Sequence, residues 1–248
     1  MCLIVFAWRP GHPQPLIVAA NRDEFYARPA SPLAAWPDAP GVYAGRDLEA
    51  GGTWLGISAA GRFAALTNIR DPGQPQGLRS RGELVAGFLA GNQAPADYLA
   101  EVADRAGAYS GFNLLAGTRE ELYYLNSRAA QPERLGAGVH GLSNARLDTP
   151  WPKLRKARAA LHAGLDDPRP EALLALLEDR QPAPLAELPD TGVGVQTETL
   201  LSSIFIASPN YGTRASTVLI VNQDGSQRII ERSFGPQGAA LEEVQVLV

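Results

Sequence analysis

One cysteine stands in 248 residues, and it is Cys2. A lone cysteine excludes an intramolecular disulfide, and a chain with no disulfide framework is expected in a reducing compartment. Histidine is nearly as scarce. His12, His140 and His162 lie far apart, and none sits in a zinc-type pair, so no metal site is expected. Lysine is confined to Lys153 and Lys156; the remaining basic residues are arginine. No apolar run approaches the roughly 18 residues of a membrane span. The first apolar stretch, Leu3 to Trp8, has no basic leader and ends at Arg9-Pro10-Gly11, so it does not read as a signal peptide. A net charge of -4 argues against binding to a phosphate backbone, which removes nucleic acid from the expected partners. These absences leave a soluble, cytoplasmic protein with a small-molecule substrate or ligand and an open oligomeric state.

The hydrophobic share of 45% and charged share of 19% are those of an ordinary globule. No break divides the chain, so residues 1–248 are expected to form one domain. Apolar runs at 2–8 and 16–20 flank a Pro/Gly turn and read as a hairpin. The second run ends in Asn21-Arg22-Asp23-Glu24, read as a polar strand end. Residues 28–40 read as an irregular loop, and strands are expected near 51–57 and 62–68. Helical spacing of Leu84, Val85, Phe88 and Leu89, and of Leu99 and Val102, predicts helices over 80–90 and 95–106. A hairpin at 112–125 and a short strand at 139–142 follow. Asp148-Thr149-Pro150 opens a third helix, with Thr149 as its cap, and 170–180 forms a fourth. Strands are expected at 200–207, 215–222 and 228–234. This order, strands and helices in alternating groups, suggests two stacked, mainly antiparallel sheets covered by helices: an α+β, four-layer αββα sandwich.

Cys2 attracts chemistry because of where it stands. If Met1 is cleaved, one residue carries both a thiol and a free α-amine, and the amine can take and return the proton of the attacking thiol. An α-amine has an ordinary pKa of about 7.7–8.0, suited to that task. Polar groups at strand ends and turns supply candidate helpers: residues 21–24, Thr67-Asn68, Ser143-Asn144, Glu198-Thr199 and Tyr211-Gly212-Thr213-Arg214. A cation would lower the thiol and hold an anionic or carbonyl group, and an amide would stabilise an oxyanion.

Taken in order, Met1-Cys2, Asn21-Arg22-Asp23-Glu24, Gly51-Gly52-Thr53-Trp54-Leu55-Gly56, Thr67-Asn68, Ser80-Arg81-Gly82, Phe112-Asn113-Leu114, Leu142-Ser143-Asn144, Asp148-Thr149-Pro150-Trp151-Pro152-Lys153 and Tyr211-Gly212-Thr213-Arg214 closely resemble the NRDE family, the family of the transport and Golgi organisation 2 protein. That resemblance implies the αββα fold of N-terminal nucleophile hydrolases. Among these, the choloylglycine and penicillin V acylases use an N-terminal cysteine. By resemblance to them, Cys2 matches the nucleophile, Arg22 and Asp23 the early Arg and Asp, Asn144 the oxyanion Asn, and Arg214 the late Arg. Asn68 is a second amide; Asn21, Glu24 and Trp54 complete a substrate-binding set. In the acylases the early Arg and Asp are separated, whereas here they are adjacent. Adjacent strand residues face opposite ways, so Glu24, with the parity of Arg22, is the substitute for Asp23. The expected activity is hydrolysis of a linear amide through a Cys2 thioester, with no cofactor. The alternative is a non-catalytic carrier of haem, lipid or acyl-CoA, to which family members have been connected.

Overall fold

The computed structural model describes residues 2–248. In chain order it has strands β1 (Cys2–Trp8), β2 (Leu16–Phe25), β3 (Ala30–Ala35), β4 (Val42–Asp47), β5 (Leu55–Ser58) and β6 (Phe63–Asn68), then helices α1 (Gly82–Ala90) and α2 (Pro95–Asp104). Strands β7 (Phe112–Gly117), β8 (Leu122–Asn126), β9 (Gln131–Arg134) and β10 (Gly138–Leu142) follow, then α3 (Pro152–Ala163), α4 (Pro170–Ala175) and α5 (Val195–Leu201). The chain closes with β11 (Tyr211–Val221), β12 (Gln227–Phe234) and β13 (Ala240–Leu247).

The strands make two antiparallel sheets. One runs β10-β1-β2-β11-β12-β13, the other β3-β4-β5-β6-β7-β8-β9. Alternation along β1 explains the layering. Ile4, Phe6 and Trp8 enter a core between the sheets with Val18, Ile57, Phe63 and Leu115. Leu3, Val5 and Ala7 face the other way, against Leu154, Ala157 and Leu161 of α3 and Leu173 and Leu174 of α4. A third cluster packs Leu84, Val85, Phe88 and Leu89 of α1 and Leu99 and Val102 of α2 on the second sheet. Each such Val, Leu, Ile or Phe side chain contributes roughly 1.5–3 kcal/mol on burial. The result is the expected αββα sandwich. Among the described residues, no helix is long and apolar enough to cross a membrane.

The departures have local causes. The ladder of β2 runs on to Phe25, so Asn21-Arg22-Asp23-Glu24 lies inside a strand. A strand, β3, occupies part of 28–40; its register with β4 shifts between Ser31 and Ala34, around Pro32, which has no N–H to donate. The apolar run at 200–207 is not a strand: α5 covers its start, and the rest is irregular chain whose backbone bonds elsewhere, Phe205 N–H to the Asp179 carbonyl and Ile206 N–H to Thr213 Oγ1. Helix α3 starts at Pro152 with Trp151, not Thr149, as its N-cap residue. Strand β13 is mostly exposed, and only Val244 and Val246 in its second half turn toward the core.

Candidate functional site

Cys2 ends the second strand of its sheet, and both neighbours bring polar groups level with it. On one side it pairs directly with Arg22 of β2. On the other, β1 pairs with β10 at Ile4 and Leu142, and continuing that antiparallel register sets Asn144 opposite Cys2. The segment after β10 is stitched to both sheets. Ser143 Oγ donates to the Cys2 carbonyl at 3.0 Å, and Thr67 Oγ1 of the second sheet donates to the Ser143 carbonyl. Asn144 Nδ2 donates to the Asn68 carbonyl at 2.9 Å.

Asn113 holds this stitch. Its Nδ2 donates to Thr67 Oγ1 at 3.1 Å and to the Ala145 carbonyl at 2.8 Å. Its Oδ1 accepts from Tyr124 Oη at 2.7 Å and from Asn126 Nδ2 at 2.8 Å. All four hydrogen-bonding positions of the amide are used. The Phe112-Asn113-Leu114 motif is therefore a scaffold for the loop carrying Asn144.

The pleat sorts the NRDE residues. Arg22 points between the sheets and meets Asp47 of β4 at 3.3 Å. Glu24 is on the same face, with Oε1 accepting from the Phe25 N–H at 2.9 Å. Asn21 points to the helices. Its Nδ2 donates to the Leu177 and Ile204 carbonyls at 2.9 and 2.8 Å, and its Oδ1 accepts from Ser216 Oγ at 2.6 Å. Asn21 is thus fully engaged as a structural clamp and does not line the cavity. Asp23 is buried at 1% exposure and accepts from Thr213 Oγ1 at 2.8 Å. It sits one register step past Arg22, beyond Cys2 on the neighbouring strand.

A cavity of about 440 Å³ opens over the end of β1. Cys2, Arg22, Asp23, Glu24, Trp54, Asn68 and Arg214 line it, so the structure gathers most of the residues singled out from the sequence. Asn144 is buried behind the wall, against Asn68. Arg214 lies where β11 shifts register against β2, between Thr213 and Ala215, and bonds to the Phe25 and Arg28 carbonyls. Sequence reasoning missed Arg81 as a site residue. It precedes α1, lines the same cavity and donates to the Gly111 carbonyl at 3.2 Å. The only signal was its place in Ser80-Arg81-Gly82. Gly52 makes the approach possible: a Cβ there would lie 2.4 Å from the Gly82 carbonyl carbon.

Behind Asp23 lies a buried charge cluster. Arg70 pairs with Glu198 of α5, whose other oxygen accepts from Thr191, and the Arg70 guanidinium stacks on Trp151 at 4.7 Å. Lys153, in the first turn of α3, is buried, and its Nζ has no hydrogen-bond partner among the described residues. Burial lowers the Lys153 ammonium to about 8, with Asp23 opposing. Burial likewise raises the Asp23 carboxyl, and Lys153 is the foremost charge opposing it. Cys2 is 7% exposed, and burial pushes its thiol up; Asp23 adds to this, while Arg22 opposes it. A resting thiolate is therefore disfavoured, and nucleophilic attack needs a base at hand. Among the described residues no group of three or more His, Cys, Asp or Glu is placed to hold a metal ion.

Comparison with known proteins places the chain in a family. A model of the family described as Transport and Golgi organisation 2 matches residues 1–236. The chain belongs to the Transport and Golgi organisation 2 family. It is 40% identical over 258 residues to the Transport and Golgi organization protein 2 homolog of Bos taurus, covering 94% of this chain and 93% of the relative. The Homo sapiens homolog is 36% identical over 257 residues, with the same coverage. Among solved structures, the Caenorhabditis elegans N-acylethanolamine-hydrolyzing acid amidase (NAAA) ortholog matches 88% of this chain and 92% of its own, at 11% identity and a TM-score of 0.45. The αββα architecture itself is read from the strand order and the three packed clusters.

Proposed function

We propose that this member of the family is an N-terminal cysteine amidohydrolase that cleaves a linear C–N amide bond of a small molecule through a thioester on Cys2. The observation that carries the reading is the position of Cys2: a buried thiol at a strand end, opposite Arg22, on the wall of a polar cavity. Met1 lies outside the described residues, and its removal is part of the proposal.

The chemistry follows from the groups present. Because burial keeps the thiol protonated, the α-amine freed on Cys2 takes its proton as sulfur attacks the carbonyl carbon. A C–S bond forms, and the developing oxyanion accepts from the amide N–H group of Asn68, which lines the cavity. Asn144, behind the wall, donates Nδ2 to the Asn68 carbonyl and holds that residue in place. Collapse breaks the C–N bond, and the ammonium returns its proton to the departing amine. Water, deprotonated by the same amine, attacks the thioester; the C–S bond breaks, and a carboxylic acid and free thiol result. Asp23 is the carboxyl group proposed to orient the ammonium; burial raises it, and Lys153 is the foremost charge favouring its ionised form. A cytoplasmic location keeps the thiol reduced.

The test is intact-mass measurement of the native protein, followed by peptide mapping after exposure to a panel of acyl p-nitroanilides. The expected result is a chain lacking Met1, an acyl adduct on Cys2 and loss of both adduct and turnover in Cys2→Ala. Full retention of Met1 defeats the proposal. The rival reading, a carrier of haem, lipid or acyl-CoA, draws on the exposed Leu78 and Leu241 at the cavity rim. Tight binding of haem or acyl-CoA with no turnover across the panel favours it.

A further inference from the structure

Each sheet ends in two edge strands, and β3, β9 and β10 are closed to further pairing. Strand β3 carries Pro32, and its register shifts beside it. Strand β9 is four residues long and carries Pro132. Strand β10 has its outer side occupied. Arg158 donates to the Val139 carbonyl at 3.0 Å, the Asp148 N–H donates to the Gly141 carbonyl at 2.8 Å, and Asp148 Oδ1 accepts from the Gly141 N–H at 2.7 Å. Proline, short length and covering groups are ordinary means of keeping an edge from pairing with another chain. The remaining edge, β13, uses none of these. It runs eight residues, Ala240–Leu247, without proline or lysine, and pairs with β12 alone.

The ladder fixes which backbone groups of β13 point outward. Gln227 and Val248 exchange both N–H to carbonyl bonds, at 2.8 and 2.9 Å. Hydrogen-bonded and non-hydrogen-bonded pairs alternate along an antiparallel ladder. In the register of β12 with β13, Val246 and Val244 therefore turn their N–H and carbonyl groups to β12, while Leu247, Gln245 and Glu243 turn theirs away from it. Among the described residues nothing pairs with those outward groups. All three residues are exposed, Leu247 at 69%. The register shifts between Arg232 and Phe234, opposite the start of β13, so the regular outer edge begins at Glu243.

We infer that β13 is a self-association edge, on which a second copy of this chain pairs its own β13, antiparallel and centred on Gln245. The charge pattern selects this occupant and this register. The acidic residues of β13, Glu242 and Glu243, precede the uncharged stretch Val244 to Leu247. Centring on Gln245 sets Glu243 opposite Leu247 of the second copy, Gln245 opposite Gln245, and Val244 opposite Val246, so no acid faces an acid. Val244 and Val246 turn toward the core between the sheets, and their contact extends that apolar row. Glu243 is already held by Arg232 at 2.6 Å. Sliding the centre to Glu243 would set like charges directly opposite, which is unfavourable. Antiparallel pairing of a strand with its own copy also closes on a two-fold axis and leaves no open end. One strand pair is a small interface beside the roughly 1,200–2,000 Å² of stable complexes, so the dimer is a weak one.

Sedimentation velocity of the full chain, from low micromolar to several hundred micromolar, is expected to show a monomer–dimer equilibrium. Gln245→Pro deletes an outward N–H and no bond to β12, and is expected to weaken dimerisation tenfold or more with little change in melting temperature. Gln245→Arg sets two cations opposite each other and is expected to act likewise, so the outcome does not rest on the proline variant folding. Register is read by disulfide formation in the Cys2→Ala background, which holds no other thiol. Gln245→Cys is expected to give a covalent dimer on mild oxidation, because the facing Cα atoms of a hydrogen-bonded pair lie about 5.5 Å apart. Glu243→Cys, roughly 14 Å from its copy in this register, is expected to give none. A chain that stays monomeric over the whole range overturns the inference and leaves the edge to a strand of some other protein. A dimer that survives both Gln245→Pro and Gln245→Arg, or that cross-links through Glu243→Cys and not Gln245→Cys, overturns it as well.

Discussion

Lys153 is an ammonium sealed in the protein with no hydrogen bond among the described residues, and its cost can be measured. Its proton is held at about 8 in the folded chain and at 10.5 when free. Each tenfold change in a proton equilibrium is 1.36 kcal/mol, so the charged form costs the fold on the order of 3 kcal/mol. The group is fully buried, so solvent screening does not discount the figure. The sign follows from proton counts. Below about 8 both states are protonated, and the whole cost is present. Between about 8 and 10.5 the unfolded chain still holds a proton that the folded chain has released, so wild-type stability rises with pH. Lys153→Met keeps the length of the side chain and removes the charge. The variant is expected to be more stable than wild type by about 3 kcal/mol at pH 7, and the gap should shrink steadily as pH climbs toward 10. Urea unfolding of both proteins at several pH values reads this directly, and taking the difference cancels the tyrosines and the acids, other than Asp23, that Lys153 does not act on. A variant less stable than wild type at pH 7, or a gap independent of pH, would refute the reasoning. The same variant removes the foremost charge opposing the upward push of burial on the Asp23 carboxyl, so any gain in stability is expected to come with slower acylation of Cys2.

Three further outcomes follow from the packing. Asn113→Ala strips partners from Tyr124 Oη, Asn126 Nδ2 and the Ala145 carbonyl at once, and should lower stability by roughly 3 kcal/mol in chemical denaturation. Gly52→Ala drives a Cβ into the Gly82 backbone and should cost on the order of 1–3 kcal/mol, read as a lower midpoint in chemical denaturation. Glu231 is buried with its carboxyl raised, so the folded state holds its proton longer than the unfolded one and stability falls as pH rises through the ordinary 4.5. Glu231→Gln should therefore gain in melting temperature over wild type on going from about pH 4 to pH 7, and an unchanged difference would count against that burial cost.

The residue pattern alone carried a good deal. The β1–β2 hairpin, the α1 and α2 faces and the layered α+β class all follow from local chemistry: apolar runs, helical spacing and turn residues. The family motifs added Arg22, Glu24, Trp54, Asn68 and Arg214, which do line one cavity. Local pattern failed where it is ambiguous by nature. A short apolar run such as 200–207 fits a strand or buried irregular chain equally well. A strand broken by Pro32 loses its alternation, and the edge strand β13 alternates only over Val244 to Leu247, too short a stretch to stand out.

Tertiary structure decided the rest, for reasons of register and distance. That Asn21-Arg22-Asp23-Glu24 is strand and not strand end sets which side chains meet Cys2, because one step along the pleat exchanges the faces. It turned Asn21 into a clamp on the helices and put Asp23 beside Lys153. Arg81 and Cys2 are far apart in sequence, and Lys153, Arg70 and Glu198 come from three separate segments. No local signal marks such groups as neighbours. Their charges acquire meaning only once the fold has removed the water between them.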